Sequence, residues 1–204
     1  GRRQRVPQGF EQTIPGTMVM FTMIVLLTSG AVGLVIERRE GVLRRLASAP
    51  IDRGQVVLGK WLALLALGLV QVGAGMLLGT LLFDMRWGPD LPAVIGVLVA
   101  WAALVASLAI LLGSLAKTEG QAIGVGVIAS NVLAALGGCW WPIEVTPAWM
   151  QKLALFLPSG WAMDAMHQLQ AKGVPAHVVA NAPEFLVDPQ IAHRQHFVEV
   201  GHGK

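Results

Sequence analysis

The sequence predicts an all-α protein, a polytopic bundle of membrane-spanning helices, and three observations carry that expectation. Of its 204 residues, 54% are hydrophobic and only 13% charged, about half the charged share of a soluble domain. The apolar residues lie in four long runs, with the charges almost entirely between them. Most of the tryptophans stand at the ends of those runs, where an amphipathic ring prefers the headgroup layer.

Residues 1–16 read as the end of an outer segment or a cut N-terminus, since the chain opens on Gly1 with Arg2, Arg3 and Arg5 and no signal-peptide pattern. Thr17–Ile36 is the first span, twenty residues without a charge. Trp61–Phe83, with Gln71 its most polar member, is the second; Leu91–Ala116 and Ala122–Trp141 are the third and fourth. Twenty helical residues cover about 30 Å, the hydrocarbon thickness of a bilayer. A charge at a span centre costs roughly 2.5–3.5 kcal/mol on insertion scales, and all four runs avoid one. Trp61, Trp87, Trp140, Trp141, Trp149 and Trp161 lie at or beyond run ends, and only Trp101 is central. The pairs Gly75/Gly79 and Gly120/Gly124 have the spacing of close helix packing.

Between the first two spans, residues 37–50 read ERREGVLRRLASAP. Val42, Leu43, Leu46 and Ala47 share one face at helical spacing, which predicts a short amphipathic helix over about residues 38–49. Glu40 precedes Arg44 by four residues, the favourable order for a helix ion pair, and Pro50 ends the segment. Beyond the fourth span, residues 147–169 form two short apolar stretches parted by Pro158-Ser159-Gly160, too short to span and expected as interfacial or re-entrant helices. Residues 170–204 form a polar tail in which Pro175, Asn181, Pro183, Glu184 and Asp188 rule out one spanning helix.

The basic balance, with a pI near 9.5, does not point to nucleic acid. Arg38, Arg39, Arg44, Arg45 and Arg53 gather in one inter-span loop with Lys60 just beyond, a pattern that marks the cytoplasmic side and meets anionic lipid. Lys117 falls on the same side; Arg86, Lys152 and the three N-terminal arginines oppose it. The bias places the 37–60 loop inside. A single cysteine, Cys139, excludes an intramolecular disulfide and a multi-cysteine metal site. His193, His196 and His202 lack an accompanying carboxylate pattern, and nothing orders Ser159, Asp164 and His167 as a triad. Gly124-Val-Gly126 matches a loose dinucleotide fingerprint by letter but lies inside an apolar span. No Gly-x-x-x-x-Gly-Lys-Ser/Thr occurs, so ATP hydrolysis is expected on another polypeptide.

Several motifs occur in a telling order. Pro15-Gly16 stands before the first span; Glu37, Arg38, Gly41, Leu43, Leu46 and Pro50 follow it; Leu58-Gly59-Lys60 opens the second. Near the far end come Asn131, Gly137, Gly138, Pro142, Glu144, Pro147, Trp149, Pro158 and Trp161. Over about residues 13–169 this run resembles the C-terminal part of type-2 ATP-binding-cassette permeases. Such permeases have six spans: the first would precede residue 1, and the sixth would follow Trp161 and Asp164, where the tail departs from the pattern.

The resemblance implies a non-enzymatic permease of an ATP-driven exporter, multi-pass in a cell membrane, most simply a bacterial inner membrane. It would form half of a pathway with a second permease, identical or not. ATP and Mg²⁺ would be held by a separate ATPase subunit, with no cofactor or metal on this chain. Glu37, Arg38, Glu40, Gly41, Leu43, Arg44, Leu46 and Pro50 are the implied ATPase contact. Gln71 and Asn131, the deep polar groups, and Glu144 are the pathway or outer-gate candidates, each weighed against interhelical bonding or a plain surface carboxylate. The rival reading is a membrane scaffold or degenerate permease that binds partners without transport.

Overall fold

The computed structural model describes residues 10–85 and 87–171; the N-terminal arginines, Arg86, and the tail from residue 172, with His193, His196 and His202, lie outside the described residues. Among the described residues, four helices are long and apolar enough to cross a membrane: α1 (Phe10–Arg39), α3 (Arg53–Phe83), α4 (Leu91–Leu115) and α5 (Glu119–Leu136). The short α2 (Val42–Ser48) joins α1 to α3. After α5, a 3-10 turn (Ile143–Val145) leads into α6 (Ala148–Ala154) and α7 (Pro158–Ala171). No strand occurs among the described residues.

α1, α3 and α5 begin ahead of their apolar runs, because backbone hydrogen bonding continues into the polar zone, while α4 keeps to its run. Thus α1 starts ahead of Thr17 and carries Pro15 inside it, and α3 starts at Arg53, well before Trp61. The fourth span is the exception at its far end. It stops at Leu136, since Gly137 leaves the helix and Gly138 takes a left-handed φ of 78°, so Trp140 and Trp141 belong to the turn that follows. Two spans begin on side-chain caps: the Asp90 carboxylate accepts from the Ala93 N–H at 3.3 Å, and the Thr118 hydroxyl accepts from the Gln121 N–H at 3.2 Å.

The central element is α1, which packs on α4, α5 and α3. Val19, Met23 and Leu26 of α1 meet Trp101, Val105 and Ala109 of α4 in the main core, and the Trp101 indole donates to the Val19 carbonyl at 3.2 Å. At the α7 end, a second cluster gathers Met18, Val72, Trp87, Leu98 and Met166; at the α2 end, a third gathers Ala31, Val35, Ala116 and Ala122. Small residues set the spacing: a Cβ on Gly113 would lie 2.7 Å from Leu34 Cδ1. The two glycine pairs divide. Gly75 and Gly79 pack on Met18 and on Ile14 with Trp87, whereas Gly120 and Gly124 face open space.

The tryptophans divide as well. Trp140, Trp141, Trp149 and Trp161 are exposed at the α7 end, where interfacial rings belong. Trp87 is instead a core residue, 6% exposed, its indole donating to Thr80 Oγ1 at 2.9 Å. Trp61 turns its N–H to Ser107 Oγ at 3.0 Å and joins α3 to α4. In both, a partner for the indole N–H inside the bundle outweighs the headgroup preference.

Candidate functional site

At the α2 end, the expected single helix over 38–49 is two elements. Gly41 has a left-handed φ of 75°, which favours glycine, and it parts α1 from α2. Glu37 and Arg38 therefore belong to the last turn of α1, Glu40 lies in the turn, and only Val42–Ser48 forms the short helix. The Glu40–Arg44 helix pair is corrected accordingly, because the break removes the continuous helix it needs. Within α2 the amphipathic face is present: Leu43 and Leu46 are half-buried, while Arg44 and Arg45 are exposed. Ala49 caps the helix in an extended conformation, and Pro50 follows it, exposed.

Leu43 and Leu46 do not lie flat against the bundle. With Ile51, Asp52, Arg53 and Leu58 they line an open groove of about 930 Å³ between α2 and the first turns of α3. Its floor is apolar, and it suits the apolar face of a protein segment.

Three consecutive side chains at the end of α1 each reach a different span. Glu37 pairs with Lys60 of α3, and Arg39 pairs with Glu119 of α5. Between them, Arg38 donates to carbonyls ending α4: Gly113 at 2.8 Å, Ala116 at 3.0 Å and Ser114 at 3.3 Å. A guanidinium here satisfies carbonyls that have no helical partner and meets the negative end of the helix dipole. Arg38 is thus engaged within its own chain. Sequence reading missed Arg39, Lys60 and Glu119 as its companions, because their pairing links positions far apart in the chain.

The pathway candidates are not brought together. Gln71 lies on α3 and Asn131 on α5, and α1 packs between them, so no single site holds both. The Asn131 amide donates to Val127 of its own helix at 2.8 Å and bridges no helices. Gln71 Oε1 is buried with no hydrogen-bond partner among the described residues, as is the Ser130 hydroxyl. The backbone of Glu144 lies in the 3-10 turn at the α7 end; its side chain is outside the described set. The arc of α1 that the other helices leave uncovered carries Thr17, Phe21 and Ser29, with Phe21 53% exposed. These residues were legible as a stripe only once the buried face of α1 was known.

The α7 end is held by buried polar contacts. Gln12 of α1 donates to the Gly138 carbonyl at 2.7 Å, and Ser159 donates to the Leu133 carbonyl at 2.7 Å, one of the last of α5. That bond ties the start of α7 to the last turn of α5. Gly16 lies against the turn, where a Cβ would come 2.0 Å from the Cys139 carbonyl oxygen. Burial pushes the Cys139 thiol up to about 12, so it stays protonated. A cavity of about 340 Å³ opens between this turn and α6–α7, lined in part by Gln151, Lys152, Asp164 and His167. Among the described residues, no group of His, Cys, Asp and Glu gathers as metal ligands.

A family described as ABC-2 family transporter protein matches residues 3–183. The linearmycin resistance permease protein LnrN of Bacillus subtilis (strain 168) is 31% identical over 160 residues, covering 78% of this chain and 40% of that protein. The probable multidrug ABC transporter permease YbhR of Escherichia coli (strain K12) is 25% identical over 170 residues, 83% of this chain and 46% of its own length. ABC transporter G family member 20 of Dictyostelium discoideum is 26% identical over 175 residues, 85% of this chain and 24% of that protein. The chain therefore spans less than half the length of each of these relatives. No solved structure matches it. This chain is a multi-pass membrane protein that belongs to the ABC-2 transporter family.

Proposed function

We propose that the chain forms the C-terminal part of one permease of an ATP-driven exporter, with α2 as the element that engages a separate ATPase subunit. The observation that carries this reading is the α2 groove. An apolar floor made by Leu43, Leu46, Ile51 and Leu58 lies open beside the exposed Arg44 and Arg45, and two residues join it to the central helix of the bundle. A docked ATPase segment would move α2, and the short link would pass that motion to the spans by rigid-body displacement. ATP and Mg²⁺ belong to the ATPase subunit. The α2 end faces the cytoplasm, in keeping with its arginines.

A second permease, identical or not, faces the open sides of α1 and α5. Thr17, Phe21 and Ser29 on α1, and Asn131 on α5, then line one shared path of apolar wall with sparse hydroxyl and amide groups. The names of two relatives, one for linearmycin resistance and one for multidrug ABC transport, support export of a small molecule.

The test compares two double variants in the full-length permease. Leu43→Ala with Leu46→Ala removes the groove floor; such buried anchors typically hold about 2 kcal/mol or more of binding energy. ATPase co-purification should fall by at least tenfold, with membrane insertion unchanged. Arg44→Glu with Arg45→Glu reports a contact made only through lipid headgroups. Full ATPase retention by the leucine variant would remove the coupling role of α2.

A further inference from the structure

The fastenings of α5 are unequal at its two ends. Its packing partner along most of its length is α1, with little contact to α4. At the α7 end the junction is buried: Gln12 bonds to Gly138, Gly16 touches the Cys139 backbone, and Ser159 holds the Leu133 carbonyl. Movement there would strand buried donors and acceptors. At the α2 end, α5 meets α1 through the small side chain of Ala122 beside Ala31 and Val35, and its polar tie to α1 is the Arg39–Glu119 pair, whose side chains are 68% and 40% exposed. Separation there leaves Arg39 to water. Glu119 would remain in the first turn of α5, where the helix dipole favours a carboxylate.

Arg38 behaves differently. It is spent on three carbonyls of α4, and Glu37 is drawn to Lys60 of α3. Of the two ion pairs at the end of α1, the one to α5 is the more exposed, and it lacks the several acceptors that hold Arg38. We infer that Arg39–Glu119 is a releasable latch: α5 pivots on its buried α7-end junction, and its α2 end swings away from α1 when the exporter changes state. The latch lies three residues before α2, so motion of α2 reaches Arg39 first. This inference rests on the coupling role of α2.

The test uses the full-length permease assembled with its ATPase in nanodiscs, carrying Cys139→Ala. One version carries Arg39→Cys with Glu119→Cys at the latch; the other carries Met20→Cys with Trp140→Cys, across the contact where the Trp140 indole approaches Met20 Sδ at 2.9 Å. A short bifunctional methanethiosulfonate is applied without nucleotide and again with ATP and vanadate. Cross-linking between the two latch positions should fall about threefold or more on trapping, as the population shifts to the separated state, while the Met20–Trp140 pair stays constant. Equal yields in both states at the latch, or no cross-link there in either, overturn the latch. ATP hydrolysis by the assembly is measured alongside, and an assembly that binds no ATPase sinks the coupling role itself, and the latch with it.

Discussion

The guanidinium of Arg38 donates to the Gly113 carbonyl at 2.8 Å, tying the last turn of α1 to the end of α4 across a large separation in sequence. A charged donor on orphan helix carbonyls contributes more than a neutral hydrogen bond, and here it serves three acceptors at once. Arg38→Ala should lower the stability of the purified permease by roughly 1–3 kcal/mol. Arg38→Lys should recover only part of the loss, since an ammonium does not reproduce the planar fork. Thermal unfolding in detergent compares the two, and an Arg38→Ala variant as stable as the parent would show the cap to be idle.

Two glycines of α1 give opposite expectations. A Cβ at Gly16 would lie 2.0 Å from the Cys139 carbonyl oxygen, and backbone has no free end to move aside. Gly16→Ala should therefore cost about 2 kcal/mol or more and loosen the α7 end. Nothing lies within 4 Å of the corresponding point at Gly33. Gly33→Ala should be neutral, or stabilise by about 1 kcal/mol through helix propensity. Expression level and melting temperature of the pair check both.

Cys139 should be inert in the folded protein. The residue is 4% exposed and its thiol is pushed up to about 12, so it is neither accessible nor largely ionised at pH 7–9. A maleimide should label it only after denaturation. The sign of the pH dependence follows: the folded state retains the proton that the unfolded thiol loses near its ordinary value of 9.0, so this contribution is full below pH 9 and declines as pH rises toward 12. Rapid labelling in native detergent would contradict the burial.

Topology is open to direct labelling. With Cys139→Ala as background, Arg45→Cys on α2 and Val145→Cys in the 3-10 turn lie at exposed positions at opposite ends of the bundle. An impermeant thiol reagent added outside cells should reach Val145→Cys and spare Arg45→Cys. The reverse pattern would invert the orientation.

The end of α1 shows where sequence reading stops. Gly41 was visible as part of a motif, but a glycine in a charged segment is equally consistent with continuous helix, and only the φ of 75° shows that the helix breaks there. The break places Glu37 and Arg38 in the last turn of α1 and outside the short helix α2. Asn131 and Gln71 stood out as polar groups in apolar runs, yet the composition of a run does not say which neighbour its polar members face. Trp87 met the positional rule for interfacial tryptophan and became core because Thr80 and the Gly79 backbone offered it a fitted site.

The sequence by itself determined that four segments are long and apolar enough to cross a membrane, that α2 has an apolar and a basic side, and that it contains no P-loop motif. Those properties depend on length, hydropathy and local spacing, quantities written directly in the order of residues. The tertiary structure alone decided that α1 is the central column, that Thr17, Phe21 and Ser29 lie on its uncovered arc, and that Glu37, Arg38 and Arg39 reach three different spans. The reason is physical. A helix that is apolar on every side has no periodic signal to mark its buried face, so packing between small residues and the reach of long polar side chains settle which face meets which neighbour.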